Sequence, residues 1–372
     1  MQRLFYLFKT NLDLNIALIL ALTTSFGQNV TFQRTIEGLN TKILLLLFCL
    51  MMVVAGFRKL GVLDFLYQKS FILVKDVRSL ARLFIFINFF FSMLITNDVA
   101  LIIFVPLSLK VFVNLDRNDL IIPVVSLETI AANMGSMLTP IGNPQNLFIY
   151  TFYKYNLLEF FSITGPIFIV CGLLLIMFSH SIDKQILHID RSVKTHLPKF
   201  RTTAFTMMFL ICILAVMRVI DVYTMAVMVI CSIAVVDKSL FKSADYKLLL
   251  LFVLLFIFVS NMCSYAFVVG VSHDFVKNYE FFVSLCLSQI ISNVPTTVML
   301  AEFAMDSDSL LKGVNVGGLG TIVASMASLI SFKAYMKIDG ALPLYYLKKF
   351  TKYNIKFLFF LIPLHLIFPN IF

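Results

Sequence analysis

The sequence predicts an all-α polytopic membrane protein with inverted-topology repeats, each holding a re-entrant helical hairpin and a broken transmembrane helix. Three observations carry that expectation. First, the 372 residues are 60% hydrophobic and only 13% charged, where a soluble domain carries about 25% charged residues. Second, the charges sit in short clusters between long apolar runs that lack the period-2 alternation of barrel strands, and lipid leaves only helices and closed barrels to satisfy a spanning backbone. Third, one short motif occurs twice, each time after an apolar segment with polar residues at its middle. The whole of 1–372 reads as a single membrane domain, because the longest polar stretch, about Ser179 to Arg201, is only a loop.

Along the chain, apolar segments fall at roughly 14–27, 43–57, 83–109, 120–150, 161–179, 203–220, 222–237, 248–271, 280–303, 313–332 and 356–372. Arg3 and Lys9 ahead of Leu14–Leu22 loosely imitate a signal peptide. No small-x-small cleavage site follows, so this segment reads as a first retained helix. Asn29-Val30-Thr31 fits a glycosylation pattern that is common by chance. A full span needs about 20 apolar residues, and two segments break that rule from within. In 83–109 the runs Leu83–Ile95 and Val99–Leu109 flank Thr96-Asn97-Asp98. In 280–303 the runs Phe281–Ile291 and Val294–Phe303 flank Ser292-Asn293. Each half reads as too short to span easily.

Basic residues decide between plain spans and re-entrant hairpins, because cytoplasmic loops collect them. With the N-terminus inside and both segments as hairpins, 24 of the lysines and arginines fall inside and 6 outside; with both as plain spans the split is 17 against 13. The hairpin arrangement is therefore expected. It brings the first hairpin in from the cytoplasm and the second from outside, which is the geometry of inverted repeats. Repeat 1 covers 43–179, with hairpin 83–109 and broken helix 120–150. Repeat 2 covers 203–332, with hairpin 280–303 and broken helix 313–332. A C-terminal helix at 356–372 follows and ends outside. Abundant Phe, Ile, Lys and Asn with no Trp suggests AT-rich coding and a bacterial cytoplasmic membrane.

The repeated motif is N-x-G-[SG]-x-x-T, at Asn133–Thr139 and Asn315–Thr321, and the hairpin tips Thr96-Asn97 and Ser292-Asn293 both read [ST]-N. Glycines, with Pro140 and Pro144, interrupt a helix at Gly135–Asn146. Such a break frees backbone groups at membrane depth, where only protein or a watery cavity can satisfy them. The freed carbonyls and Asn, Ser and Thr oxygens suit Na⁺, and half-helix N-termini suit an anion. Transporters build their sites from such pieces. The competing reading is that these small and polar residues only let helices pack closely.

TNDVALIIFVPL at Thr96–Leu107, NMGSMLTPIGNPQN at Asn133–Asn146, SNVPTT at Ser292–Thr297 and NVGGLGT at Asn315–Thr321 resemble the ion transporter superfamily. It includes divalent anion/sodium symporters, citrate permeases, arsenite-efflux permeases and sodium/proton antiporters; the nearest likeness is to a bacterial branch of anion or citrate-like transporters. The resemblance runs from about Ile43 to the C-terminus. It implies a homodimer in the lipid bilayer, each protomer having a fixed part and a mobile part that moves as an elevator. It implies substrate contacts at Thr96, Asn97, Ser292, Asn293 and Thr296. Ion coupling would fall to Gly135, Thr139, Asn143, Gly317 and Thr321, with a Na⁺ site at Asn97, Gly135, Asn293 and Gly317. The sequence departs from the family at Asp98, where dicarboxylate binders have a neutral hydroxyl.

Asp98 is the most informative charge, since an ionisable residue inside a membrane is a functional candidate by default; its alternative role is to cap the hairpin tip. Glu128, before the first break, reads equally as a proton relay or as a hydrogen-bonded anchor, and both acids join the ion-coupling set. Glu302 reads as interfacial, Arg218 and Asp221 as an outer turn, and His180, His188, His196, His273 and His365 as structural or solvated. The leading expectation is an ion-coupled carrier of a small inorganic or organic anion, with Na⁺ or a proton as coupling ion and no other cofactor. The alternatives are a cation/proton antiporter using Asp98, and a channel or non-transporting scaffold. The net charge of +10 is spread over many loops and forms no stripe for nucleic acid. The six cysteines lie singly in apolar runs and form no disulfide or zinc pattern. No phosphate loop or nucleophile elbow points to an enzyme; the glycines of Gly313–Gly320 lie in a membrane helix without the strand a nucleotide fold requires.

Overall fold

The computed structural model describes residues 12–25, 39–62, 74–186, 198–263, 276–369 and 371. The described chain is helical throughout. Its helices are α1 (Leu12–Ser25), α2 (Thr41–Lys59), α3 (Val77–Ile95), α4 (Asn97–Asn114), α5 (Asn118–Ser136), α6 (Pro144–Phe152), α7 (Leu157–Ser179), α8 (Lys199–Val216), α9 (Val222–Val236), α10 (Tyr246–Met262), α11 (Glu280–Ile291), α12 (Asn293–Ala301), α13 (Ser307–Val316), α14 (Met326–Tyr335) and α15 (Pro343–Ile367). Six of them, α2, α3, α4, α7, α8 and α15, are long and apolar enough to cross a membrane. Short polar residues set many of the starts. Asn40, Asp76, Asn143, Asn156, Asp221, Asp245, Asp306 and Ser325 each accept a backbone N–H of the helix that follows, filling orphan donors at the helix N-terminus.

Two boundaries differ from the sequence expectation. The arms of the first hairpin, α3 and α4, are 19 and 18 residues long. At 1.5 Å per residue each is about 27 Å or more, long enough to span. The extra length comes from polar turns outside the apolar run: Asp76 and Ser79 form a capping box ahead of α3, and Asn114 closes α4. The last helix begins at Pro343, not at 356, because Pro343 opens it and four lysines ride on its early turns. The ends of the 14–27 and 248–271 segments lie outside the described residues, as do Asn29–Thr31, His188, His196 and His273. His365 is buried and stacks on Phe281 at 3.7 Å between ring centroids, a packing role. Glu302 is exposed at the end of α12, and Asp221 caps α9 across the turn that holds Arg218.

The helices pack as two groups. One holds α1, α2, α8, α9 and α10; the other holds α3–α7 and α11–α15. They meet where α2 touches α6 and α10 touches α12. At the same boundary Arg218 donates to the carbonyls of Tyr150 (3.0 Å) and Lys154 (2.9 Å) at the end of α6. Within the second group, α3 packs on α5 and α11 on α13, and each outgoing hairpin arm packs on a half-helix of the other broken helix, α4 on α14 and α12 on α6.

Both ends of the first hairpin are tied to one loop. Arg78, in the first turn of α3, donates to the Ile182 carbonyl at 2.5 Å, and Arg117, past α4, bonds Asp183 at 2.9 Å and Gln185 at 3.1 Å. The guanidinium of Arg117 holds the Asp119 and Asp183 carboxyls below the usual carboxylate range. Both ends of the second hairpin also share one face: the Asp306 N–H, past α12, donates to Glu280 at the start of α11 (3.3 Å). That face is where α6 ends, since Tyr153 donates to the Ala301 carbonyl (2.6 Å) and Tyr155 bonds Ser307 and Asp308. The pair α5–α6 starts at Arg117 and finishes at Tyr153, so the two hairpins open toward opposite ends of it.

Candidate functional site

The hairpins turn in the same way. A single residue joins the arms of each, Thr96 with φ 73° and ψ 149°, and Ser292 with φ 76° and ψ 155°. A non-glycine residue in this region carries strain of about 1–3 kcal/mol and persists only where its surroundings hold it. The next residue supplies the hold. Asn97 donates its backbone N–H to the Gly142 carbonyl (3.1 Å), and Asn293 donates its own to the Ala324 carbonyl (3.0 Å). Gly142 and Ala324 each precede the N-cap residue of a half-helix, Asn143 for α6 and Ser325 for α14.

The motif residues clamp this seat. Thr139 donates its hydroxyl to the Met93 carbonyl (2.5 Å) and Thr321 to the Gln289 carbonyl (3.1 Å), in each case three residues before the tip. Gly135 and Gly317 permit close approach. A methyl group on Gly135 would stand 1.9 Å from the Phe89 carbonyl oxygen, and one on Gly317 would stand 2.9 Å from Ser288 Oγ. The motif asparagines then cross between the two halves. Asn133 Oδ1 accepts from Asn97 Nδ2 and from Ser325 Oγ, both at 3.0 Å, and its Nδ2 donates to the Gly318 carbonyl at 3.3 Å. Asn315 Oδ1 accepts from Asn143 Nδ2 at 3.3 Å, and its Nδ2 donates to Asn146 Oδ1 at 2.7 Å. Each asparagine thus takes a bond from the N-cap residue of the other broken helix.

The break-loop carbonyls are occupied as well. Asn146 Nδ2 donates to Met137 (3.0 Å), Thr139 (3.3 Å) and Ser136 (3.4 Å), and Gln289 Nε2 donates to Gly317 (2.8 Å) and Leu319 (2.9 Å).

A cavity of about 660 Å³ reaches this constellation. Thr96, Asp98, Asn143 and Pro144 line its inner end, and Arg58, Lys59 and Asp245 line the other. The N-termini of α4 and α6 meet at the inner end, a setting that favours negative charge. Asp98 stands there in the first turn of α4, and its carboxylate makes no hydrogen bond. It does not cap the tip, because Asn97 Oδ1 takes the Asp98 N–H (2.9 Å). Ser292, Asn293 and Thr296 do not line this cavity; they are buried, and Thr296 donates its hydroxyl to the Ser292 carbonyl (2.8 Å). Glu128 stands apart from both tips, fully buried in α5, and bonds Ser108 of α4 at 2.9 Å.

The expected residues therefore come together as two sets: Thr96, Asn97, Asp98, Gly135, Thr139 and Asn143 in one, and Ser292, Asn293, Thr296, Gly317 and Thr321 in the other. The sequence reading missed Asn133, Asn315, Asn146, Gln289 and Ser325 as connecting residues. Asn133 and Asn315 open the repeated motif, and that pairing was the available signal. Gln289 carried a weaker one, a lone amide one turn before the tip.

Apolar helices, paired hairpins seated on helix breaks and a cavity that ends at them define a multi-pass membrane transporter. A sequence profile of the citrate transporter family matches residues 7–332, and the chain belongs to that family. It is similar to an uncharacterized transporter of Methanocaldococcus jannaschii, at 34% identity over 77% of this chain and 79% of that protein. It is also similar to the inner membrane protein YbiR of Escherichia coli, at 31% identity over 76% of this chain and 77% of that protein. The P protein of Homo sapiens matches more narrowly, at 27% identity over 43% of this chain and 19% of its own length.

Proposed function

We propose that this protein is an ion-coupled secondary transporter of a small anion, a carboxylate or an oxyanion, working by alternating access in the bacterial cytoplasmic membrane. The observation that carries the reading is the pair of matching seats, with each hairpin tip bonded through its asparagine N–H to the carbonyl ahead of a half-helix. The matched tips, clamps and crossed asparagines, with hairpins opening toward opposite ends, support two inverted repeats. The two helix groups support a division of labour, with α1, α2, α8, α9 and α10 fixed and the tip-bearing group moving as an elevator. The N-terminus is assigned to the cytoplasm, the C-terminus to the outside, and the working unit to a homodimer. On this topology Arg58, Lys59 and Asp245 face the cytoplasm, so the cavity is an inward-facing access path. Its two helix N-termini and basic mouth suit an anion. Substrate falls to Thr96, Asn97, Ser292, Asn293 and Thr296, and the coupling ion is Na⁺ or a proton.

The test is citrate uptake into proteoliposomes. Asn97→Ala and Asn293→Ala are each expected to abolish it while the protein stays folded, and full uptake by both variants would sink the site assignment. A second reading, a cation/proton antiporter of the same fold, draws support from the unpartnered Asp98 carboxylate at the cavity end. It requires that Asp98→Asn abolish cation-driven proton movement, and a wild-type protein without any cation response eliminates it.

A further inference from the structure

Glu128 lies away from the cavity, on α5, and α3, α4, α7, α13, α14 and α15 all pack against that helix. Its residue exposure is 0%. One carboxyl oxygen, Oε2, is 2.9 Å from Ser108 Oγ, and the other, Oε1, is buried with no hydrogen-bond partner. Ser108 Oγ is also 2.9 Å from the Val105 carbonyl. A hydroxyl has one proton to give. If Glu128 were ionised, Ser108 would have to turn that proton to Oε2, and a buried carboxylate would survive on one neutral donor. An unpaired buried charge of this kind is strongly disfavoured. If Glu128 is neutral, its own O–H donates to Ser108 Oγ, and Ser108 donates onward to the Val105 carbonyl. Every proton in that chain has a destination.

Among the described residues no charged side chain bonds Glu128. On the elements packed against α5, Arg82 bonds Ser179 and His180, Lys312 bonds the Pro369 carbonyl, Asp98 lines the cavity, Lys349 sits over the Tyr345 ring, and Lys110, Lys333, Lys348, Lys352 and Lys356 are exposed. Tyr346 of α15 has a buried hydroxyl with no hydrogen-bond partner. Tyr335 of α14 stacks on the Tyr346 ring at 4.7 Å, and its own hydroxyl accepts the Leu342 N–H. The break-loop carbonyls, which a Na⁺ would need, are held by the amides of Asn146 and Gln289.

We infer that Glu128, with Ser108 as its acceptor, is a buried proton-binding site in the tip-bearing helix group and the place where the coupling proton is carried. On release, the proton leaves the Glu128 O–H and Ser108 turns its hydroxyl to the carboxylate. The coupling role rests on the transport reading above; the bound proton does not.

Two measurements separate these parts. Infrared spectra of the purified full-length protein at neutral pH should show a protonated carboxyl C=O band that Glu128→Gln removes and Ser108→Ala moves to higher frequency. Loss of no carboxyl band in Glu128→Gln, or a band that Ser108→Ala leaves in place, overturns the proton site. In proteoliposomes, Glu128→Gln should retain citrate exchange without a gradient and lose accumulation driven by a pH gradient. Accumulation at the wild-type level overturns the coupling role. A wild-type protein that exchanges no citrate counts against the transport reading and leaves the infrared result to decide the proton site alone.

Discussion

Asn146 and Gln289 meet the same need in the two broken helices but reach it from different places. In the first, the amide that holds the loop carbonyls comes from α6, the second half of the broken helix itself. In the second, it comes from α11, the incoming arm of the hairpin. Ser328, at the position in α14 that matches Asn146, is too short to reach back, and its hydroxyl is buried without a partner. The Gln289 carboxamide oxygen also accepts the Thr321 N–H (2.9 Å), so the second loop is stitched to its hairpin side chain and backbone alike. The amide that holds the first loop belongs to the broken helix, and the amide that holds the second belongs to the hairpin. Two copies of one motif can thus share a backbone design and differ in which element stabilises it.

That contrast can be broken or sharpened by substitution. The largest effect is expected at the closest approach. Gly135→Ala forces a methyl group against a backbone oxygen, and overpacking typically costs about 1–3 kcal/mol, more where the neighbour cannot move. Thermal melting in detergent should fall steeply for Gly135→Ala and only slightly for Gly318→Ala, whose nearest neighbour is the Asn293 side-chain amide at 3.0 Å. Next come the amides themselves. Asn146→Leu strands the Ser136 and Met137 carbonyls at a fully buried site, the Thr139 carbonyl keeping the Gly142 N–H (3.3 Å), and Gln289→Leu strands two at a half-buried one. At about 1–3 kcal/mol for a buried group left unsatisfied, the deeper burial of Asn146 means that Asn146→Leu should melt lower than Gln289→Leu, and the reverse order would contradict that contrast.

The crossed asparagines should behave alike. Double-mutant cycles for Asn133 with Ser325, and for Asn315 with Asn143, are each expected to return couplings of about 0.5–3 kcal/mol in stability. A coupling confined to one pair would mean that the halves are not equivalent.

The smallest effect is expected outside the membrane core. Lys59 bonds Asp237 at 2.6 Å, and that contact, with Ser239, lowers the Asp237 carboxyl to about 2. A depressed carboxyl contributes stability above its unfolded value and loses it as pH falls through about 2. Because Lys59 is largely exposed, the pair is worth about 0–1 kcal/mol. Asp237→Asn should therefore shift the melting curve slightly at neutral pH and not at all in strong acid.

The sequence disclosed the tips because a polar pair inside an apolar run is conspicuous, and it disclosed the breaks because glycine and proline punctuate helices. It disclosed Asn133 and Asn315 only as letters of a motif. Their bonds across the halves join residues 169 to 192 positions apart, a distance that no local pattern encodes. The seats on Gly142 and Ala324 were invisible for another reason: they are backbone carbonyls, and any residue carries one. The length of α15 was hidden by its lysines, which lower the apolar signal of a helix whose other face is buried.

Arg218 fastens the far end of α6, while the seat at Gly142 fastens the near end. The half-helix is therefore pinned at both extremities, once within its own helix group and once across the boundary to the other. The elevator movement proposed above would release two charge-assisted hydrogen bonds at Arg218, at about 1.5–3 kcal/mol each. A latch so placed touches none of the cavity-lining residues, so its imprint would fall on how fast and how temperature-sensitive turnover is, and not on how tightly any solute is held.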